Sequence, residues 1–249
     1  MAIKTRKISD WLSANGQAIT NASKATMEDA IRADIGQLYD GIFIMFHRKS
    51  DDFPLAVRVS SWASYQASGE IAEGVLLVEG GRHLVIAPTE ASSVKWSSKP
   101  VSDSNTSGSV QISGVTTTGD RITALNDFVG RANTTAIING STSSNVTNTE
   151  NYAAGFCNRY SRTNANGKGL TAGRWWLPSM GEMAMIWANF DKINYALSKI
   201  SGATQLQANW YWTSTQNSAD RAWLLTLGDG TMGFDWKFNQ GRVRPVSAF

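Results

Sequence analysis

Four short stretches between residues 41 and 88 leave this chain few ways to fold. "GIFIMFHR" (41–48), "LAVRVSSW" (55–62), "EGVLLVEGG" (73–81) and "RHLVIAP" (82–88) are rich in β-branched, aliphatic and aromatic residues, with Asp, Ser and Gly between them. Runs of that length bounded by turn residues predict strands. The texture returns near the C-terminus in "AWLLTLGDG" (222–230), where Trp223, Leu225 and Leu227 alternate with Leu224 and Thr226. That alternation predicts a strand with the first set facing the core and the second facing out.

Helical periodicity lies elsewhere. In "TMEDAIRADIGQLYDG" Thr26 is a candidate N-cap, and Ala30, Ile31, Ile35 and Leu38 fall near helical spacing before Gly41. Residues 97–150 are dominated by Ser, Thr, Asn and Gly and predict long loops around one short helix at 120–132. Tyr152, Phe156 and Tyr160 share a helix face, with Cys157 beside it. The strongest helix signal is residues 173–197: Pro178 stands at its start, then Met183, Ile186, Trp187 and Phe190 form a stripe expected to face the core. The order of strands, loops, two main helices and strands gives an α+β class. Helices are expected on one side of mostly antiparallel strands, after a small N-terminal helical and strand segment.

Composition narrows the chemistry. The chain has 249 residues, 42% of them hydrophobic and 17% charged, with ten Trp and nine Phe, so it can bury a core. A net charge of +3, spread along the chain, gives no reason to expect nucleic acid or an anionic membrane as partner. One cysteine excludes an intrachain disulfide, and a small buried hydrophobe is the expected role of Cys157. No signal peptide or lipid-anchor signal is expected from "MAIKTRKISDWLSANG", and no transmembrane run from any stretch of the chain, so it is read as made in a cytoplasm. His47 and His83 stand apart from metal-ligand spacing, and Asp220, Asp229 and Asp235 read as exposed turn residues, so no metal is expected. No dinucleotide, P-loop, zincin or nucleophile-elbow motif occurs, so no catalytic residue and no cofactor are assigned.

The C-terminal quarter raises a different question. In "ANWYWTSTQNSADRAW" (208–223) Trp210, Tyr211, Trp212 and Trp223 bracket small and polar residues, and the texture continues in "LGDGTMGFDWKFNQGRVRPVSAF". "GRWWLPSMGEM", "YWTST", "AWLLTLGDG" and "RVRPVSAF", in that order, resemble the C-type-lectin-like fold in the branch shared with formylglycine-generating enzymes. Residues 70–96 resemble that fold's opening hairpin. Within the branch the chain is most similar to variable proteins of diversity-generating retroelements, phage tropism determinants among them. The likeness covers about residues 41–249 and is most specific over 174–249.

The resemblance implies a kept scaffold under a rewritten binding face. Trp212, Trp223, Leu225, Leu227, Val243, Arg244, Pro245 and Val246 fall on the scaffold. Trp210, Gln216, Asn217, Ser218, Asp220, Arg221, Leu224, Thr226, Asp229, Thr231, Phe234, Asp235, Trp236, Phe238, Asn239, Gln240 and Arg242 fall where the family varies, with Gly233 and Gly241 among them. The residues agree on one point. Leu224, Phe234, Trp236 and Phe238 interleave with Thr226, Asp235 and Asn239, and rigid aromatics beside adaptable polar groups suit recognition. The EPN and WND motifs of calcium-dependent lectins are missing, as is the second cysteine of the formylglycine-generating enzymes.

The expectation is therefore a receptor-binding adhesin of a phage tail, diversified by a retroelement. Residues 1–69 would serve assembly or attachment, and 70–249 would be the ligand-binding domain, with its variable face at 205–249. Its partners would be a host cell-surface protein or glycan, other tail proteins and copies of itself in a trimer, with no membrane insertion. The alternatives are a bacterial surface adhesin of the same fold and an enzyme related to the formylglycine-generating enzymes.

Overall fold

A computed structural model describes residues 40–98 and 111–249. The helix expected over 26–40 lies outside the described residues up to Tyr39, as does the 99–110 portion of the expected loops. The described residues form an α+β unit of mostly antiparallel sheet.

The first sheet runs β12–β4–β3–β1–β2 and is antiparallel throughout. Its strands are β1 (Gly41–His47), β2 (Pro54–Arg58), β3 (Gly74–Glu79), β4 (Arg82–Ile86) and β12 (Val246–Ser247). All four N-terminal runs thus reach this sheet, the second supplying β2 and the start of the short helix α1 (Trp62–Ala67). β3 and β4 form a hairpin over Gly80 and Gly81, both at positive φ, which glycine adopts without a Cβ clash. The compact unit begins at Asp40, and β1 lies between β2 and β3. Residues 41–69 are therefore continuous with the fold of 70–249, and the division placed after residue 69 moves to residue 40.

The second sheet runs β10–β9–β8–β11–β5, from β5 (Ala91–Lys95), β8 (Trp210–Gln216), β9 (Arg221–Thr226), β10 (Met232–Trp236) and β11 (Gln240–Val243). Only the β8–β11 contact, Tyr211 beside Arg242, is parallel. A two-stranded ribbon, β6 (Arg162–Thr163) with β7 (Gly169–Leu170), stands apart from both sheets.

Two cores explain the burial. One packs Ile44, Phe46, Val75, Leu77 and Ile86 of the first sheet against Met183, Ile186, Ile193 and Leu197 and against Tyr211, Trp223, Leu225 and Leu227 of the second. The helical residues come from α5 (Met180–Ala188) and α6 (Phe190–Leu197). The other core covers the opposite face of the second sheet. There Trp212, Ala222, Leu224 and Val243 meet Ile137 of α3 (Gly130–Asn139), Cys157 of α4 (Ala153–Arg159), Trp96 and Leu177. Helices thus lie on both faces of the second sheet, where one side was expected.

Leu224 is the first consequence. The alternation along β9 holds, but the outward set has its own core to enter, and Leu224 is buried beside Ala222. Trp187 is the second. It is 40% exposed rather than part of the core stripe. The long helix breaks at Asn189, whose side-chain amide donates to Glu79 (3.0 Å) and to the Met185 carbonyl (3.2 Å). An Asn that bonds to nearby backbone in this way competes with helix continuation. The Trp187 ring lies against Gly230, where a Cβ would come within 2.4 Å of it. The helix expected over 120–132 is likewise two pieces, α2 (Arg121–Leu125) and α3, with Asp120 capping the first through a 2.7 Å bond from the Thr123 amide. Cys157 is fully buried, and burial pushes its thiol well above its ordinary pKa.

Candidate functional site

β8, β9, β10 and β11 bring part of the expected set together. Trp210, Leu224, Gly233, Phe234, Asp235, Gln240, Gly241 and Arg242 of that set line one groove of about 380 Å³, joined by Ser92 and Asn209. Trp210 (40% exposed) is the large apolar side chain left open to solvent there; Phe234 (45%) borders the groove but turns its ring to the other face of the sheet, against Trp223. The Trp210 ring lies over Gly233: a Cβ at Gly233 would stand 3.0 Å from its ring carbons. Gly241 is fixed more tightly, because a Cβ there would meet the buried Trp212 ring at 2.8 Å, and the Trp212 Nε1 donates to the Val94 carbonyl at 3.0 Å. Gly241 therefore belongs with the scaffold, a correction to its place among the changeable positions.

On the other face of β10 from Gly233 and Asp235, aromatics and one cation form a ladder. The Arg221 guanidinium lies 4.2 Å from the Trp236 ring centroid and 5.3 Å from that of Phe234. Trp236 stacks on Phe238 at 6.3 Å, and Phe234 meets Trp223 edge-on at 5.5 Å. Contacts of this kind hold the ring planes in fixed directions.

Other expected residues sit in turns. Asn217, Ser218 and Asp220 form the β8–β9 turn, in which the Ser218 hydroxyl donates to Asp220. Asp229 and Thr231 form the β9–β10 turn, where hydrogen bonds from Thr231 hold the Asp229 carboxyl below its ordinary pKa. Thr226 closes β9, its hydroxyl accepting from the Gly228 amide at 3.2 Å. Asn239 donates to Asp235 at 2.9 Å. None of these turn residues lines the groove.

Gln216 departs furthest from expectation. It is fully buried, and its amide donates to the Ile112 carbonyl (3.0 Å) and the Thr117 hydroxyl (3.0 Å). Its carbonyl oxygen accepts from the Ile112 amide (3.2 Å) and from Lys237 Nζ (2.6 Å). A short polar strand end reads as surface in the sequence. Here the segment around Ile112–Thr118 folds over it. Lys237 is itself buried, 4.5 Å from the Trp96 ring centroid, and donates also to the Ala219 carbonyl at 2.8 Å. Burial pushes its ammonium down to about 7, against the pull of the Asp220 carboxylate.

A charged cluster behind Arg242 had no signature in the sequence. Glu90 (7% exposed) accepts from Arg242 Nη1 at 2.8 Å and from the Tyr211 hydroxyl at 2.7 Å. Its second oxygen is 3.6 Å from Nε of the fully buried Arg244. Arg244 Nη2 donates to the Thr204 carbonyl at 2.6 Å, while its Nε has no hydrogen-bond partner among the described residues. Burial, and then the Glu90 charge, push the Tyr211 phenol above its ordinary range, so it stays a donor. Ser92 and Asn209 are likewise small polar residues that nothing in the sequence marks.

Among the described residues, no three His, Cys, Asp or Glu side chains converge as a metal site would require, and no helix is long and apolar enough to cross a membrane. No protein-family model matches the chain, and no curated protein matches it. Among solved structures, a fimbrial protein from Bacteroides ovatus ATCC 8483 is similar over 67% of this chain at 19% identity, with a TM-score of 0.42. This chain spans 36% of the length of that protein.

Proposed function

We propose that this chain is a receptor-binding adhesin of a phage tail, built on a C-type-lectin-like fold and diversified by a retroelement. It binds a host cell-surface protein or glycan through the groove on its second sheet. One observation carries the reading: neighbouring residues of the same strands divide between a buried frame and an open groove. Trp212, Trp223, Leu225 and Val243 are buried, while Trp210 stands exposed among Asn209, Asp235, Gln240 and Arg242. An exposed aromatic anchor ringed by polar side chains on a rigid frame is the composition of a binding hot spot. The protein acts as a homotrimer held in the tail by other tail proteins, because repeating one weak site raises avidity by roughly 10²–10⁴.

The test is binding of labelled protein to a panel of bacterial strains. Wild-type protein is expected to coat some strains and not others. The variant Trp210→Ala is expected to lose at least about tenfold in affinity, or about 1.4 kcal/mol, with its melting temperature little changed. Equal coating by the variant, or no coating of any strain, would overturn the proposal. Sequencing the flanking DNA for a reverse transcriptase and a near-copy of the region encoding 205–249, differing at adenines, tests the retroelement origin.

A further inference from the structure

Two guanidiniums, Arg242 and Arg244, share the single carboxylate of Glu90. Arg244 is fully buried and cannot reach solvent. Arg242 keeps about a quarter of its side chain exposed and lines the groove. It gives Glu90 one Nη1 contact at 2.8 Å, and its Nε and Nη2 have no partner among the described residues. A guanidinium held at one corner with its other edge open suits a carboxylate, which takes two parallel N–H donors.

The rest of the groove limits what carries that carboxylate. Trp210 offers a flat ring supported from beneath at Gly233. Asp235 uses one oxygen to accept from the Trp236 amide (2.8 Å) and from Asn239 (2.9 Å), and its other oxygen has no partner among the described residues. Gln240 accepts from Ser93 at 2.7 Å, leaving its amide donors open, and the Asn209 amide donors are open too. One wall therefore favours an anion, another accepts hydrogen bonds, and the ring offers a platform for C–H groups. The open polar groups outnumber what one acidic side chain of a peptide would use. They suit a compact ring bearing several hydroxyls.

We propose that the groove takes a carboxylate-bearing sugar, with its acid on Arg242, a C–H face on Trp210 and a hydroxyl donated to Asp235. This rests on the adhesin reading of the groove. Glu90 is the positioning residue: it fixes Arg242 from behind, and Tyr211 and Arg244 in turn fix Glu90.

The probe is the methyl glycoside of glucuronic acid, titrated to millimolar concentration against full-length protein and followed by tryptophan fluorescence. The neutral methyl glucoside and an acetylated Asp-Glu peptide are run beside it. The acidic sugar is expected to bind about tenfold or more tightly than either, and to weaken as salt rises. Arg242→Gln is expected to erase that preference, Arg242→Lys to restore it in part, and Glu90→Gln to reduce it. Equal affinities for the two sugars, no binding of the acid, a preference for the peptide, or an unchanged preference in Arg242→Gln would each overturn it. Cell coating separates this failure from that of the adhesin reading. If Arg242→Gln protein coats the same strains as wild type while Trp210→Ala does not, the adhesin stands and the acid site falls.

Discussion

Lys237 shows how burial alone gives one side chain a measurable role. Its folded-state pKa is about 7, against 10.5 for an ordinary lysine. Between those values the unfolded chain holds a proton that the folded chain has released, so raising the pH favours folding. Below pH 7 both states hold the proton and the penalty is constant. Melting temperature should therefore rise between pH 7 and 9, by an amount worth on the order of 3 kcal/mol. Above that range Cys157 and Tyr211 reverse the slope, because burial holds both protonated in the fold while the unfolded chain loses those protons. Lys237→Met should flatten the rise, and thermal melts across this range check it. Gln216, its partner, read as a changeable surface residue because nothing in "YWTSTQNS" marks where the strand stops being covered. Gln216→Ala should cost about 2–3 kcal/mol, since it strips partners from buried groups, whereas Asn217→Ala in the next turn should stay within about 0.5 kcal/mol. Denaturant melts that rank the two the other way would refute the distinction.

At the scale of elements, strands were legible by period and helices by their stripes, but depth was not. The alternation of Trp223 and Leu225 with Leu224 is present in β9, and Leu227 just beyond it enters the same core as the first two. What no period-two pattern can state is whether a second core waits on the other face, and here the 111–177 region supplies one. The 173–197 stripe located α5 and α6 but not the break at Asn189, because a side chain that bonds across to Glu79 is a tertiary fact. The groove's frame has the same character. Gly241 sits under Trp212, and Gly241→Ala should force that ring off its bond to Val94, costing about 1–3 kcal/mol as an overpacked site. Gly80→Ala, where a Cβ would meet nothing, should cost through its positive φ alone. Melting the two variants side by side separates crowding from backbone strain: Gly241→Ala should also lower binding in the groove, and Gly80→Ala should not.

For the whole molecule, the division after residue 69 failed because a sheet is assembled from distant sequence. By sequence "GIFIMFHR" reads as part of an attachment segment, whereas in the fold it is β1, between β2 and β3. A chain starting at Asp40 should therefore keep its far-ultraviolet dichroism and melt cooperatively. A chain starting at residue 70 loses Ile44, Met45, Phe46 and Trp62, all buried, and should not fold. Light scattering on the full-length chain and on the chain from Asp40 tests the proposed trimer. A monomer mass for the full-length protein at micromolar concentration would end that proposal and its avidity argument.

The bonds that frame the groove join parts of the chain that are made far apart. Glu90 meets Arg242 across 152 positions and Ser93 meets Gln240 across 147, while the Trp212 indole reaches Val94 across 118. Closing loops of that length must be completed before the contacts repay it, so such pairings form late and slowly. Renaturation from denaturant should accordingly recover the helical signal of α5 and α6 first and ligand capture last, in the slowest phase. Capture by the groove would then serve as a clock for completed folding, since a chain that still lacks its β5–β11 pairing presents Trp210 without the wall beside it.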